Sequence, residues 1–163
     1  MKKRLRGISQ ILLILLLLVG CTKEGITNNK QTEIKETIDL VLSYNNGYDE
    51  VMKKHISEKN FYICNYKEFY GLYIGEATIE RYESEIKNIE EKDSQYIVRL
   101  ILNIEAKAND VHEHEGHEDS DTAIGENIPV EVILKEKEGE YYITSFTEYE
   151  NLEKAAELND GFK

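Results

Sequence analysis

The stretch Gln95-Tyr-Ile-Val-Arg-Leu-Ile-Leu-Asn-Ile-Glu-Ala-Lys-Ala108 decides the fold. Tyr96, Val98, Leu100, Leu102, Ile104, Ala106 and Ala108 alternate with mostly polar residues, while Ile97 and Ile101 fall on the opposite face. Successive side chains of a strand point to opposite faces, so this is a long, half-buried β-strand. Downstream, Ile128, Val130, Val132 and Leu134 repeat the pattern. Lys135 to Gly139 is turn-like, and Tyr141, Ile143 and then Phe146 or Tyr149 complete another strand. Upstream, Thr78 to Glu90 is ambiguous. Ile79, Tyr82, Ile86 and Ile89 have helical spacing, whereas Glu91-Lys92-Asp93-Ser94 reads as a turn into the next strand. We read this stretch as strand as well.

The period before Gly75 is different. Ile34, Ile38, Val41 and Leu42 recur at helical spacing from Gln31 to Ser43, with Asn29 or Thr32 as its expected cap and Asn45-Asn46-Gly47 beyond its end. Tyr48, Val51, Met52 and His55 mark a second short amphipathic segment, with His55 expected to be a hydrogen-bonded core or boundary residue. Ser57 can cap a third, along which Tyr62, Tyr66, Phe69 and Tyr73 form an aromatic stripe until Gly71 and Gly75 interrupt it. A stripe at this spacing ordinarily faces a core, which is the reading preferred here; the alternative is the lining of a pocket. Cys64 has no basic neighbour to lower its pKa and is also read as core. After Glu150 a short helix or tail is expected.

Helices followed by a meander of strands imply an α+β fold, with N-terminal helices packed on the apolar face of a curved antiparallel sheet. The order, and the ending Gly139-Glu-Tyr-Tyr-Ile-Thr-Ser-Phe146, resembles the cone-shaped domains of the nuclear transport factor two-like (SnoaL-like, ketosteroid-isomerase-like) superfamily over residues 31–149. That resemblance implies a space between sheet and helices which in relatives is catalytic, binds ligands or is filled. A cystatin-like or other small α+β sandwich is the alternative. In isomerase-type relatives a pocket Asp or Glu acts as base, and Asp39 or Glu68 with Tyr44 or Tyr70 are the residues that could take those parts. Nothing in their spacing singles them out, and a non-catalytic binding module is the expectation.

Residues 1–20 are of another kind. Lys2, Lys3, Arg4 and Arg6 precede an unbroken apolar run from Ile11 to Val19, too short for a lasting membrane span and sized for a signal peptide. The run ends in Leu18-Val19-Gly20-Cys21, which resembles the lipobox of bacterial lipoproteins. That likeness implies a lipid on the Cys21 thiol, cleavage just before it, and a membrane-anchored protein on the extracytoplasmic face. Thr22 to Asn29 reads as a flexible tether. The chain thus divides into a signal peptide (1–20), lipidated Cys and tether (21–30), an α+β domain (31–150) and a short terminal helix or tail (151–163).

Charge narrows the partners. The 163-residue chain carries 32 acidic and 20 basic residues, a net charge of -12, and 40% hydrophobic residues. Losing residues 1–20 removes four basic residues and makes it more negative still. Nucleic acid is therefore excluded as a partner, since phosphate binding depends on Lys and Arg. The expected partners are the membrane, through the lipid, and an unidentified protein or small ligand.

One acidic segment carries candidate chemistry of its own. His112, His114 and His117 crowd together with Glu113, Glu115, Glu118 and Asp119 between two strands. Imidazole suits Zn²⁺ and similar ions, and carboxylate can complete a four-coordinate shell. Gly116 and Glu118 stand where a His-Glu-x-x-His helix would need histidine, and Ile124 stands where a calcium loop starting at Asp119 would need glycine. The alternative function is thus an extracytoplasmic zinc binder, whereas the binding-module reading requires no cofactor. Calorimetry of the mature chain with Zn²⁺ should show weak binding that fades as pH falls toward about 6, because only neutral imidazole ligates and nearby carboxylates favour the charged ring. A His112→Ala, His114→Ala, His117→Ala variant that binds zinc like the parent would end the metal reading.

Overall fold

In the computed structural model, which describes residues 26–109 and 122–163, the decisive stretch is strand β2 (Gln95–Ala108). Its seven alternating residues are all buried, and it is flanked on both sides. The sheet runs β1-β2-β3-β4, antiparallel throughout, with β1 at Ala77–Lys92, β3 at Thr122–Lys137 and β4 at Glu140–Glu148. Two hairpins turn on two residues each, Asp93-Ser94 (φ 51° and 61°) and Glu138-Gly139 (φ 56° and 84°). Positive φ at both positions matches the twist of the flanking strands. The second turn is shorter than expected, since Lys135 to Lys137 still pair with β4.

The register breaks at four places, and these account for the curvature. In β1 the pairing slips between Ile79 and Arg81 and again between Ile86 and Asn88. An extra residue in one strand bends it and increases its twist. The core-facing residues of β1 are therefore Ile79, Tyr82, Ser84, Ile86 and Ile89, paired with Ala106, Ile104, Leu102, Leu100 and Val98. Each bulge lengthens a step from two to three residues. The helical spacing of Ile79, Tyr82, Ile86 and Ile89 is thus the mark of a bulged strand. Further slips lie opposite Leu102–Ile104 in β3, beside Asn127 (φ 55°), and at Thr144 in β4.

Helices cover the concave, apolar face. Helix α1 (Asn28–Leu42) buries Ile34, Ile38, Val41 and Leu42, each contributing roughly 1.5–3 kcal/mol of transfer free energy. Its cap is Thr27, whose hydroxyl accepts from the Lys30 amide; Asn29 and Thr32, expected at that position, lie inside the helix. The second amphipathic segment is only a 3₁₀ turn, Met52–Lys54, because the Asp49 carboxylate takes the Val51 and Met52 amides and holds a tight bend. His55 follows it, buried, with Nδ1 3.0 Å from the Tyr141 carbonyl oxygen.

The aromatic segment forms two helices instead of one, α2 (Glu58–Cys64) and α3 (Tyr66–Ile74). Asn65 between them has extended backbone (φ -76°, ψ 123°). Its side-chain carbonyl accepts from the Glu68 amide, capping α3. Its amide donates to the Val41 and Tyr44 carbonyls at 2.9 and 3.0 Å, tying the elbow to the end of α1. The break re-phases the segment: Phe61, Cys64, Tyr66 and Tyr70 face the core. Gly71 lies within α3 and does not interrupt it; Gly75 (φ 81°) ends it.

The chain ends on the opposite face of the sheet. Helix α4 (Leu152–Leu158) and a 3₁₀ turn (Asp160–Phe162) set Ala155 and Phe162 against Ile101, one of the two isoleucines that broke the alternation of β2. Beside them Arg99 is nearly enclosed, its guanidinium bonded to Glu131 (2.9 Å), Glu90 (2.8 Å) and Asn88 (2.7 Å). Gly161 closes over it so tightly that a Cβ would come within 2.5 Å of the Arg99 side chain. Among the described residues no helix is long and apolar enough to cross a membrane.

Asn65→Ala removes a helix cap and strips one buried and one half-buried carbonyl of their donor, so it should cost about 2–4 kcal/mol in urea denaturation. Asn65→Asp should do no better, because a carboxylate oxygen would then face those two carbonyls. A loss below about 0.5 kcal/mol in both would contradict the assigned role.

Candidate functional site

The α2–α3 elbow presents its outer side above the end of β4. Ser57 starts α2 by accepting from the Asn60 amide, and the Asn60 side chain donates to the Thr144 carbonyl, fixing the helix to the strand. Between elbow and strand lies a cleft of about 310 Å³ lined by Ile63, Cys64, Tyr66, Phe69, Phe146 and Glu148. The Tyr66 ring is the hub. Phe69 and Phe146 both stand edge-on to it, with centroids 6.4 and 6.3 Å away. The Tyr66 hydroxyl donates to Glu148 Oε2 at 2.7 Å. Burial, and then the Glu148 carboxylate, pushes the phenol far above its usual range, so it remains a donor. Cys64 is 2% exposed, and burial pushes its thiol up to about 12.

Around the cleft the helices expose apolar side chains. Tyr62 is 52% exposed, Phe69 40%, Leu72 82% and Tyr73 72%, and Ile63 is also exposed. The Tyr73 ring packs on Phe69, with centroids 5.3 Å apart. The expected core stripe of Tyr62, Tyr66, Phe69 and Tyr73 is thus corrected: only Tyr66 is buried, because α2 turns Phe61 and Cys64 to the core in place of Tyr62, and α3 turns in Tyr66 and Tyr70 in place of Phe69 and Tyr73. The pocket reading of the same residues is nearer. Tyr66 and Phe69 line the cleft, and Tyr62 and Tyr73 lie on the exposed surface of the same two helices.

A second cleft of about 360 Å³ lies between α1 and the β3–β4 hairpin, lined by Glu33, Glu36, Thr37, Leu40, Gly139, Glu140 and Tyr141. The space between helices and sheet is occupied by Phe61, Met52, Ile56, Leu100, Leu102, Ile104, Leu134 and Ile143, all fully buried. At its edge Asp39 accepts from Lys35 Nζ (2.5 Å) and Ser84 Oγ (2.6 Å). The Tyr82 hydroxyl beside it is buried and without a well-formed hydrogen bond; burial, then Asp39, raises its pKa well above normal. The acid and tyrosine candidates are engaged separately. Tyr44 donates to Asp49 (2.7 Å), Glu68 is paired with Lys67 (3.7 Å), and Tyr70 is buried on the inner side of α3.

Residues 1–25 and 110–121 lie outside the described residues, and with them the signal peptide, Cys21 and the segment holding His112, His114, His117, Glu113, Glu115, Glu118 and Asp119. Among the described residues no cluster of three His, Cys, Asp or Glu is placed to hold a metal.

The fold is therefore α+β, helices on one face of a curved, unclosed, four-stranded antiparallel sheet. No protein-family model matches the chain, and no curated protein matches it. A solved chain named Rd1NTF2_05, carrying five substitutions, is similar to it. The TM-score is 0.46 and the identity 10%, covering 75% of this chain and 98% of that one.

A thiol held at about 12 is almost wholly protonated at pH 8. In a Cys21→Ala background, where Cys64 is the sole thiol, iodoacetamide should label the folded protein roughly a thousandfold more slowly than the urea-unfolded chain. Comparable rates in the two states would show that Cys64 is not part of the packed floor of the cleft.

Proposed function

We propose that the mature chain is a bacterial lipoprotein domain, held by acyl chains on Cys21 at the extracytoplasmic face of the membrane, and that it works as a non-catalytic binding module. In this reading its fold is a cone of the nuclear transport factor two-like kind whose interior is given over to packing. The binding surface is then the outside of the α2–α3 elbow. One observation carries that assignment: Tyr62, Ile63, Phe69, Leu72 and Tyr73 are exposed together on two consecutive short helices of a strongly acidic chain. Apolar side chains grouped on a surface lose free energy to water until something covers them, and aromatic groups are enriched where proteins meet. The basic start, the apolar run and Leu18-Val19-Gly20-Cys21 support the location. Several acyl chains would hold the domain firmly, at about 0.8 kcal/mol per buried CH₂, where a single chain would not.

Two measurements test the two halves. Cells fed labelled palmitate should incorporate label into the protein and lose it with Cys21→Ala; a Cys21→Ala protein retained on membranes as before, with no label in either form, would refute the anchor. For the binding face, a photo-crosslinking amino acid placed at Leu72 should give one discrete adduct in living cells, and the same group at Glu85 on β1 should give none. Equal adducts from both positions, or none from Leu72, would refute it.

A further inference from the structure

We propose that the cleft between α3 and the end of β4 seats a cationic side chain, arginine or lysine, of a peptide segment of the partner, held by Glu148 against the rings of Tyr66, Phe69 and Phe146. The inference rests on the binding-module reading and adds the chemistry of what is bound. Its first support is the shape and composition of the site. The cleft has a volume near the low end for ligand sites, roughly 300–1,000 Å³, so it suits one long side chain. Three rings line it, those of Tyr66, Phe69 and Phe146, of which Phe69 is exposed, and aromatic rings attract a cation within about 6 Å of the centroid. Ile63 and the Cys64 thiol supply an uncharged bed for a methylene stem.

Charge is the second support. Glu148 is the one Asp, Glu, Lys, Arg or His among the described residues that line the cleft, and it forms no ion pair among the described residues. Its Oε2 is oriented by the Tyr66 hydroxyl, which being a neutral donor leaves the charge uncompensated. Lys67, on the same helix, is paired with Glu68. The contrast with the far face of the sheet is direct: there Glu90 and Glu131 already hold a cation of the chain's own, Arg99. At the cleft the exposed Glu148 carboxylate is open to a cation from outside. The net charge of -12 would draw a basic segment in and repel an acidic one.

The surroundings favour a peptide over a free ammonium ion. Leu72, Tyr73, Tyr62 and Ile63 are exposed on the two helices that form the elbow, where apolar residues on either side of the cation would cover them. A small cation alone would leave them bare.

The test uses the full chain in detergent and fluorescence anisotropy with labelled peptides Ser-Leu-Arg-Leu-Ser and the same peptide with citrulline, the uncharged isostere of arginine. The arginine peptide should bind at least about tenfold more tightly, with a preference that shrinks as salt rises. Glu148→Gln should abolish that preference and leave citrulline binding unchanged. Equal binding of the two peptides, or a preference that survives Glu148→Gln, would overturn the proposal, as would tetramethylammonium displacing the arginine peptide at concentrations matching the peptide's own. The peptide comparison needs no variant to fold. Crosslinking from Leu72 reports on the face itself, so an adduct there with no arginine preference removes the cation seat and leaves the binding module standing.

Discussion

One amide side chain, that of Asn65, ties together three helical segments that share one buried core, at the point where they meet. It ends α2, caps α3 and fills the carbonyl vacancies at the end of α1. A buried asparagine is costly unless nearly all its bonding capacity is used, and here the carbonyl and the amide both are. The same residue sets the phase of everything after it. Tyr66 and Tyr70 turn inward and Phe69 and Tyr73 outward because the helix restarts there, so the cleft exists as a consequence of the elbow.

The sheet shows what a period can and cannot convey. The alternation in β2, β3 and β4 was legible because two-residue spacing survives wherever pairing is regular. In β1 the bulges at Glu80 and Lys87 stretch the spacing of Ile79, Tyr82, Ile86 and Ile89 until it imitates a helix. The turn at Asp93-Ser94 was the better guide, because its geometry demands a strand on each side. Ile101 looked like noise in the alternation, yet it is the seat of Ala155 and Phe162 on the second face. Both anomalies were information about curvature and covering, but neither reveals its cause without knowing what packs where.

The candidate site was half legible. The aromatic stripe pointed to the right segment, and Tyr66 and Phe69 do line the cleft. The preferred core reading failed at two points: the spacing was carried from Tyr62 to Tyr66 straight through Asn65, a residue that favours caps over helix interiors, and within α3 the buried face runs through Tyr66 and Tyr70, leaving Phe69 and Tyr73 beside it. Phe146 and Glu148 were missed. Their signal was present in principle, as two residues one alternation apart on the last strand, but what they face is set by an elbow eighty residues earlier in the chain. The Leu18-Val19-Gly20-Cys21 run and the histidine-rich segment stand apart, since both lie outside the described residues and were read from residue chemistry alone.

Native-state hydrogen exchange at rising denaturant tests the shared asparagine most directly. If Asn65 binds the elbow to the body, the amides of Phe61, Asn65 and Phe69, each bonded within the elbow helices, should exchange with the same free energy as the amides of β2. That free energy should collapse on both together in the Asn65→Ala chain. An elbow that opens well below the global unfolding free energy in the unmodified protein, while β2 remains protected, would contradict the account.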